Sequence, residues 1–257
     1  MPHFLISSNN VKDGFLTVNC PETVRHLTGA LRIRAGEIVK FIDENKVQYE
    51  AEILNFSKKE VQTKVLKSEI SQRELHYNLF LAQSILKTDA QNLLISNAAQ
   101  LGIKGVYPFV SDYSTVKGSV AKLKGEKWQK IADEAFKQCE RADLMKVFEI
   151  SPLSEILAKF KKENVIIFAE KYDNTDIFDA AKTVDINEDI LVVTGPEGGL
   201  SEEEFKYFKE KGYKMATLGS LIFKAPNAVT AGVSNVIFAL DIINGRKTDM
   251  ADRERAK

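Results

Sequence analysis

The stretch Ile190-Leu191-Val192-Val193-Thr194-Gly195-Pro196-Glu197-Gly198-Gly199-Leu200-Ser201-Glu202-Glu203-Glu204 decides the fold. Ile190 to Val193 run without a polar break, which suits a strand buried on both faces of a parallel sheet. A glycine-rich turn follows, and Ser201 with Glu204 has the capping-box form that opens a helix. Glu202, Glu203 and Glu204 set negative charge against the positive end of the helix dipole. Strand, glycine turn and capped helix together are the unit of an α/β domain.

The same rhythm extends on both sides. Val165–Ala169 is a second continuous apolar strand, Met215–Leu218 a third, and Asn227–Ile243 a closing apolar helix. Upstream, Leu75–Leu81 and Val106–Val110 read as strands. Thr88-Asp89-Ala90-Gln91 has the capping-box form before a helical apolar pattern that Gly102 stops. Lys127–Arg141 reads as a long helix. The first seventy residues differ: Phe15–Asn19, Glu37–Ile42, Val47–Leu54 and Glu60–Leu66 are short β segments parted by turns such as Asp13-Gly14 and Ala35-Gly36. With Pro21–Leu31 as a short helix among them, a small barrel or sandwich is expected. The polar Lys67–Glu74 is the boundary. The expected domains are therefore 1–70 and 75–247, with 248–257 a polar, frayed tail.

Composition sets outer limits. The chain has 257 residues, 44% hydrophobic and 28% charged, the balance of a soluble globular protein. Its 36 basic and 36 acidic residues exclude a uniformly basic coat for nucleic acid. Local patches remain available: Lys117, Lys122, Lys124, Lys127 and Lys130 form one, and Arg25, Arg32, Arg34 and Lys40 another. The two cysteines (Cys20, Cys139) and three histidines (His3, His26, His76) lack metal-ligand spacing, so no metal is expected. No apolar run approaches a membrane span, and Met1–Phe4 lacks a signal-peptide layout. A cytoplasmic protein without membrane contact is expected.

Three segments carry the chemistry. Thr194–Gly199 leaves the carboxyl end of a buried strand, where ligands gather in open α/β sheets. Leu218-Gly219-Ser220-Leu221-Ile222-Phe223-Lys224-Ala225-Pro226-Asn227-Ala228 again joins a strand to a helix. In Ala135–Arg141, Gln138 and Arg141 stand three apart on one helix face. Singly, each has a plain structural reading: a tight turn, a helix entry capped by Asn227, and a solvated helix end.

In this order the three segments resemble the RsmE family of 16S ribosomal RNA uridine methyltransferases, of the knotted SPOUT superfamily. The likeness extends to His26-Leu27, Ala30-Leu31-Arg32 and Gly36, similar to the family's PUA-like barrel. Ala98-Ala99-Gln100-Leu101-Gly102 and Trp128-x-x-Ile131 before Gln138-x-x-Arg141 also match it. This sequence departs from the family's usual Lys and Glu at Asn97 and Gln100. Leu221 and Lys224 stand where the family has arginines, and Pro226 and Asn227 where it has Glu and Thr.

The resemblance implies a PUA-like β-barrel followed by a SPOUT α/β-knot domain, with a mostly parallel sheet and a deep trefoil knot. It implies S-adenosylmethionine held by Ala169, Glu170, Thr194, Gly195, Glu197, Gly199, Leu218, Gly219, Ser220 and Ile222. The implied reaction methylates N3 of a uridine in 16S rRNA of the small ribosomal subunit, with a homodimer through the knot domain. Arg141 is the candidate for stabilising the anionic uracil, since guanidinium offers fixed donors and stays charged. Lys224 is a second cation and Glu197 a proton acceptor. Arg25, Arg32, Arg34, Lys122, Lys124 and Lys127 are the RNA-binding candidates. Tyr107, Phe109, Tyr113 and Phe223 are candidates for stacking on an unstacked base. Ribose 2′-O-methylation and a non-catalytic RNA-binding or ribosome-assembly factor are the alternatives.

Overall fold

The computed structural model describes residues 3–116, 124–169, 175–220 and 223–245. The chain divides into two compact units, Met1–Glu74 with Glu134–Leu144, and Leu75–Asp133 with Met145–Lys257.

In the first unit, β1 (His3–Leu5), β2 (Val11–Lys12), β3 (Phe15–Val18), β4 (Ile38–Ile42), β5 (Val47–Phe56) and β6 (Val61–Ile70) form one six-stranded sheet, ordered β1-β4-β5-β6-β3-β2. All its pairings are antiparallel except β1 with β4. Its core holds Phe4, Leu16, Leu27, Phe41 and Ile53. The helix expected over Pro21–Leu31 is α1 (Pro21–Arg25) followed by a π-helical turn, His26–Ala30. The expected boundary segment is partly strand, because β6 continues to Ile70 and pairs it with Val47. Glu134–Leu144 joins this unit through Phe136, which packs with Ile42, Ala142 and the ring of His3. Lys40, expected in a basic patch, instead lies 3.6 Å from Glu140, which also pairs with Arg73.

The second unit is built on β7 (Leu79–Ser84), β8 (Gly105–Phe109), β9 (Lys146–Val147), β10 (Val165–Phe168), β11 (Thr175–Asp176), β12 (Ile190–Thr194) and β13 (Lys214–Thr217). They form a seven-stranded sheet, ordered β11-β13-β10-β12-β7-β8-β9, and every described pairing is parallel. β10 and β12 are buried along their whole length, as their apolar runs require. The helices are α2 (Thr88–Gln100), α3 (Gly125–Cys139), whose residues from Glu134 on belong to the first unit, α4 (Leu153–Leu157), α5 (Ile177–Ala181), α6 (Glu202–Lys211) and α7 (Ala225–Ile243). β10 precedes β12 and β13 in the chain yet lies between them. The path therefore reverses across β10, the kind of switch point beside which open α/β sheets bind ligands.

Several local expectations change. The first strand of this unit is Leu79–Ser84 rather than Leu75–Leu81. Thr88 does not cap α2: Lys87 is the N-cap, and the buried Gln91 accepts the Leu86 backbone N–H at 2.9 Å. Asn227 is likewise inside α7, whose N-cap is Lys224. Helix α3 ends at Cys139 because Glu140 turns left-handed (φ 52°), so Arg141 does not share a helix face with Gln138. Finally, α7 is long and apolar enough, by length and composition alone, to cross a membrane, with mean hydropathy 1.3. The sequence reading expects no such segment. Its Val229, Val233, Val236 and Leu240 are buried in this unit. Asn97, one of the departures from the family pattern, donates from Nδ2 to Thr230 Oγ1 at 3.0 Å and ties α2 to α7.

Candidate active site

Three neighbouring strand ends shape the site. β12 delivers the buried Thr194, after which Gly195–Leu200 folds back on itself. A Cβ on Gly195 would stand 3.1 Å from Gly199 C and from Leu200 N, closer than nearly all Cβ contacts, so any larger residue would have to push this backbone apart. Gly199 has φ +76° and donates its N–H to the Pro196 carbonyl at 3.0 Å. Ser201 then closes the loop as the N-cap of α6, accepting from Glu204 N at 3.1 Å while Glu204 Oε2 accepts from Ser201 N at 2.7 Å. The expected capping box is present. β10 ends at Phe168, and Ala169 N–H reaches the Ala216 carbonyl of β13 at 3.0 Å. β13 leads into Leu218 and Gly219, where Thr217 Oγ1 accepts the Gly219 N–H at 3.2 Å.

These ends enclose a cavity of about 180 Å³. Ala169, Thr194, Gly195, Glu197, Gly199 and Leu218, all expected to hold a cofactor, line it. Gly219 and Ser220 follow Leu218 without lining it, and Glu170 and Ile222 lie outside the described residues. Phe168, Leu200, Phe205, Ala225 and Ala228 supply apolar walls that the sequence reading did not single out. Their only sequence signal is adjacency to the glycine and leucine turns, since each looks like an ordinary core residue.

The charged groups at the cavity are acidic. Glu197 and Glu202 belong to its wall, and Glu197 Oε1 accepts the Lys87 backbone N–H at 3.1 Å. Lys224 is exposed at the start of α7, between the lining residues Phe223 and Ala225. Arg141 is 4% exposed, belongs to the first unit and is not among the lining residues. Burial pushes its guanidinium down from its ordinary value, against Cys139, Glu74 and Asp143, which favour the charged form.

The aromatic candidates separate. Tyr113 and Phe223 line the cavity. Tyr107 is half-buried and stacks on Phe148 at 4.0 Å, Phe109 is fully buried, and neither lines the cavity. Arg25, Arg32 and Arg34 are exposed in the first unit, and Lys127 is exposed on α3 in the second. Lys124 Nζ donates to Thr88 Oγ1 at 2.9 Å, while Lys117 and Lys122 lie outside the described residues. Among the described residues no His, Cys, Asp or Glu cluster could hold a metal ion.

A mostly parallel α/β unit with a cavity at its switch point, in a chain that also carries a β-sheet unit, is the architecture on which the comparisons place an RNA methyltransferase. Residues 73–237 match the RNA methyltransferase domain, and residues 20–66 match the RNA methyltransferase PUA domain. Ribosomal RNA small subunit methyltransferase E of Bacillus subtilis is 26% identical over 231 residues, spanning 87% of this chain and 90% of that protein. Its counterpart in Aquifex aeolicus is 30% identical over 209 residues, spanning 79% and 86%. The chain belongs to the ribosomal RNA small subunit methyltransferase E family. Two solved structures share its fold. A ribosomal RNA small subunit methyltransferase E from Neisseria gonorrhoeae, bound to S-adenosyl methionine, has a TM-score of 0.79 at 24% identity, over 91% of this chain and 96% of that one. A Legionella pneumophila protein in complex with the cofactor SAM has a TM-score of 0.81 at 22% identity, over 92% and 97%.

Proposed function

We propose that this chain transfers the methyl group of S-adenosylmethionine to N3 of a uridine in the 16S RNA of the small ribosomal subunit. The observation that carries this reading is the convergence of Ala169, Thr194 and Leu218, at the ends of three adjacent strands, on one cavity in a member of this family.

The cavity fits such a donor chemically. Glu197 and Glu202 suit a sulfonium cation, while Phe168, Leu200 and Leu218 offer apolar faces to an adenine ring. Gly195 and Gly199 leave backbone groups open to close approach. When bound, S-adenosylmethionine supplies an electron-poor methyl group, so the protein needs no nucleophile of its own. What the chain must do is align the base, take the N3 proton and steady the charge on the uracil oxygens. Alignment of this kind is worth up to about 7–11 kcal/mol.

Glu197 is assigned the proton, its carboxylate held in place by the Lys87 N–H. Lys224 is assigned the developing oxyanion. Tyr113 and Phe223 offer faces to a uridine turned out of its stack. The assignment of Arg141 to the uracil oxygens rests on the family resemblance alone. Single-turnover methylation by Arg141→Ala decides it: a rate within a few-fold of wild type, with RNA affinity unchanged, removes Arg141 from the chemistry. The knotted chain rests on the family resemblance alone, and the exposed Phe238 and Ile242 of α7 support a homodimer.

The test is to incubate the purified protein and S-adenosylmethionine with unmodified small ribosomal subunits and with naked 16S RNA, then digest and identify the nucleosides by mass spectrometry. N3-methyluridine is expected. A ribose-methylated nucleoside, or no product from either substrate, overturns the reading.

A further inference from the structure

Gln83 lies on β7 with no solvent exposure, opposite Thr194 of β12 in the parallel register. Burying a primary amide in an apolar sheet is costly unless its donors and acceptor are paired. Here all are, and two of the pairings are aimed at the cavity loop. Nε2 donates to the Gly195 carbonyl at 3.1 Å and to the Ser84 carbonyl at 2.6 Å, while Oε1 accepts from the Thr194 hydroxyl. Thr194 and Gly195 both line the cavity. The next residue, Ser84, holds the segment that packs against the same loop: its Oγ lies 2.8 Å from Ser114 Oγ, which in turn accepts the Ser111 N–H at 2.9 Å. Tyr113, between those two serines, lines the cavity.

We propose that Gln83 is a positioning residue for the methyl-donor pocket, holding the Gly195 peptide in the orientation that receives the donor. The inference rests on the reading that this cavity holds S-adenosylmethionine. Gly195 begins the loop beyond the strand ladder, and its own lack of a side chain leaves it no anchor but its peptide. The Gln83 amide supplies that anchor from the neighbouring strand. Without it the Gly195 carbonyl and the Thr194 hydroxyl lose their partner and the loop gains alternative orientations, only some of which accept the donor.

Gln83→Met keeps the side chain's length and removes every donor and acceptor. Calorimetry with S-adenosylmethionine, and initial rates at saturating RNA, separate positioning from a merely structural role. The expected result is at least a tenfold rise in both Kd and KM for S-adenosylmethionine, with kcat at saturating donor within threefold and KM for RNA unchanged. A Kd within twofold of wild type, or a fall in kcat without a change in KM, overturns the inference. Should Gln83→Met fail to fold, Gln83→Leu removes the same donors and acceptor without altering a cavity-lining residue; a several-fold rise in Kd supports the inference and an unchanged Kd overturns it. Wild-type protein that binds no S-adenosylmethionine brings down the functional reading, and this inference with it. Wild-type binding alongside equal binding by Gln83→Met brings down this inference alone.

Discussion

Gly232 of α7 and Phe168 of β10 are so close that a Cβ on the glycine would stand 2.2 Å from Phe168 Cε2 and 2.9 Å from Leu218 Cδ2. Both of those side chains line the cavity, so a bare spot in the middle of a helix sets how deep two walls of the site can sit. A glycine inside a helix costs about 1 kcal/mol relative to alanine, which the tight packing on it must offset.

Gly232→Ala sets these effects against each other. The helix gains about 1 kcal/mol in propensity, while forcing a methyl into packed side chains costs about 1–3 kcal/mol. Net stability is therefore expected to fall by about 1 kcal/mol in urea denaturation. Affinity for S-adenosylmethionine is expected to fall further, because Phe168 and Leu218 are the groups that must move. Unchanged donor affinity by calorimetry would show that neither wall touches the ligand.

Acid is expected to weaken the first unit through His3. Burial, with Arg73 and Lys40 against an opposing Glu140, lowers the His3 pKa from 6.5 to about 4. The unfolded chain then binds a proton before the folded one does. The stability His3 contributes is complete above pH 6.5 and is lost as the pH falls toward about 4. Glu140 works in the same direction at lower pH: although burial alone would raise its carboxyl, Lys40 and Arg73 lower it on balance. Urea midpoints measured from pH 7 to pH 4 should fall in wild type and flatten in His3→Phe. Parallel curves would contradict the assignment.

Helix α7 leaves Phe238 66% exposed and Ile242 49% exposed, an apolar face on an otherwise well-packed helix. With a homodimer through this face, Phe238→Glu should shift the molar mass in light scattering from that of two chains to that of one. A wild-type mass of one chain would contradict it.

RNA affinity should depend steeply on salt, since each phosphate that the protein neutralises releases counterions. Replacing Arg25, Arg32 and Arg34 together by alanine should weaken binding across sequences and flatten the slope by about one for each phosphate no longer neutralised. An unchanged slope would place the phosphates elsewhere.

Local signals in the sequence were legible where the chain satisfies itself locally. The apolar run Ile190–Thr194 and the Ser201–Glu204 capping box appear as read, because both depend on neighbours in sequence. The Thr88 capping box failed because Gln91 is drawn inward to Leu86 N–H, a bond its spacing from Thr88 does not announce. The end of α3 is not legible in the sequence, because a non-glycine residue, Glu140, takes the left-handed turn. At the site, glycine and leucine turns pointed to the cavity, since close backbone approach restricts residue type. Phe168, Leu200 and Gln83 did not stand out, because an apolar wall or a buried amide is distinguished from core only by what it faces.

The most direct test is calorimetric titration of S-adenosylmethionine into the wild-type protein and into Gly195→Val, whose side chain would strike Gly199 and Leu200. The account predicts one saturable site per chain in the wild type and its loss in Gly195→Val, with both proteins folded by circular dichroism. Equal binding by the two, or none by the wild type, would contradict it.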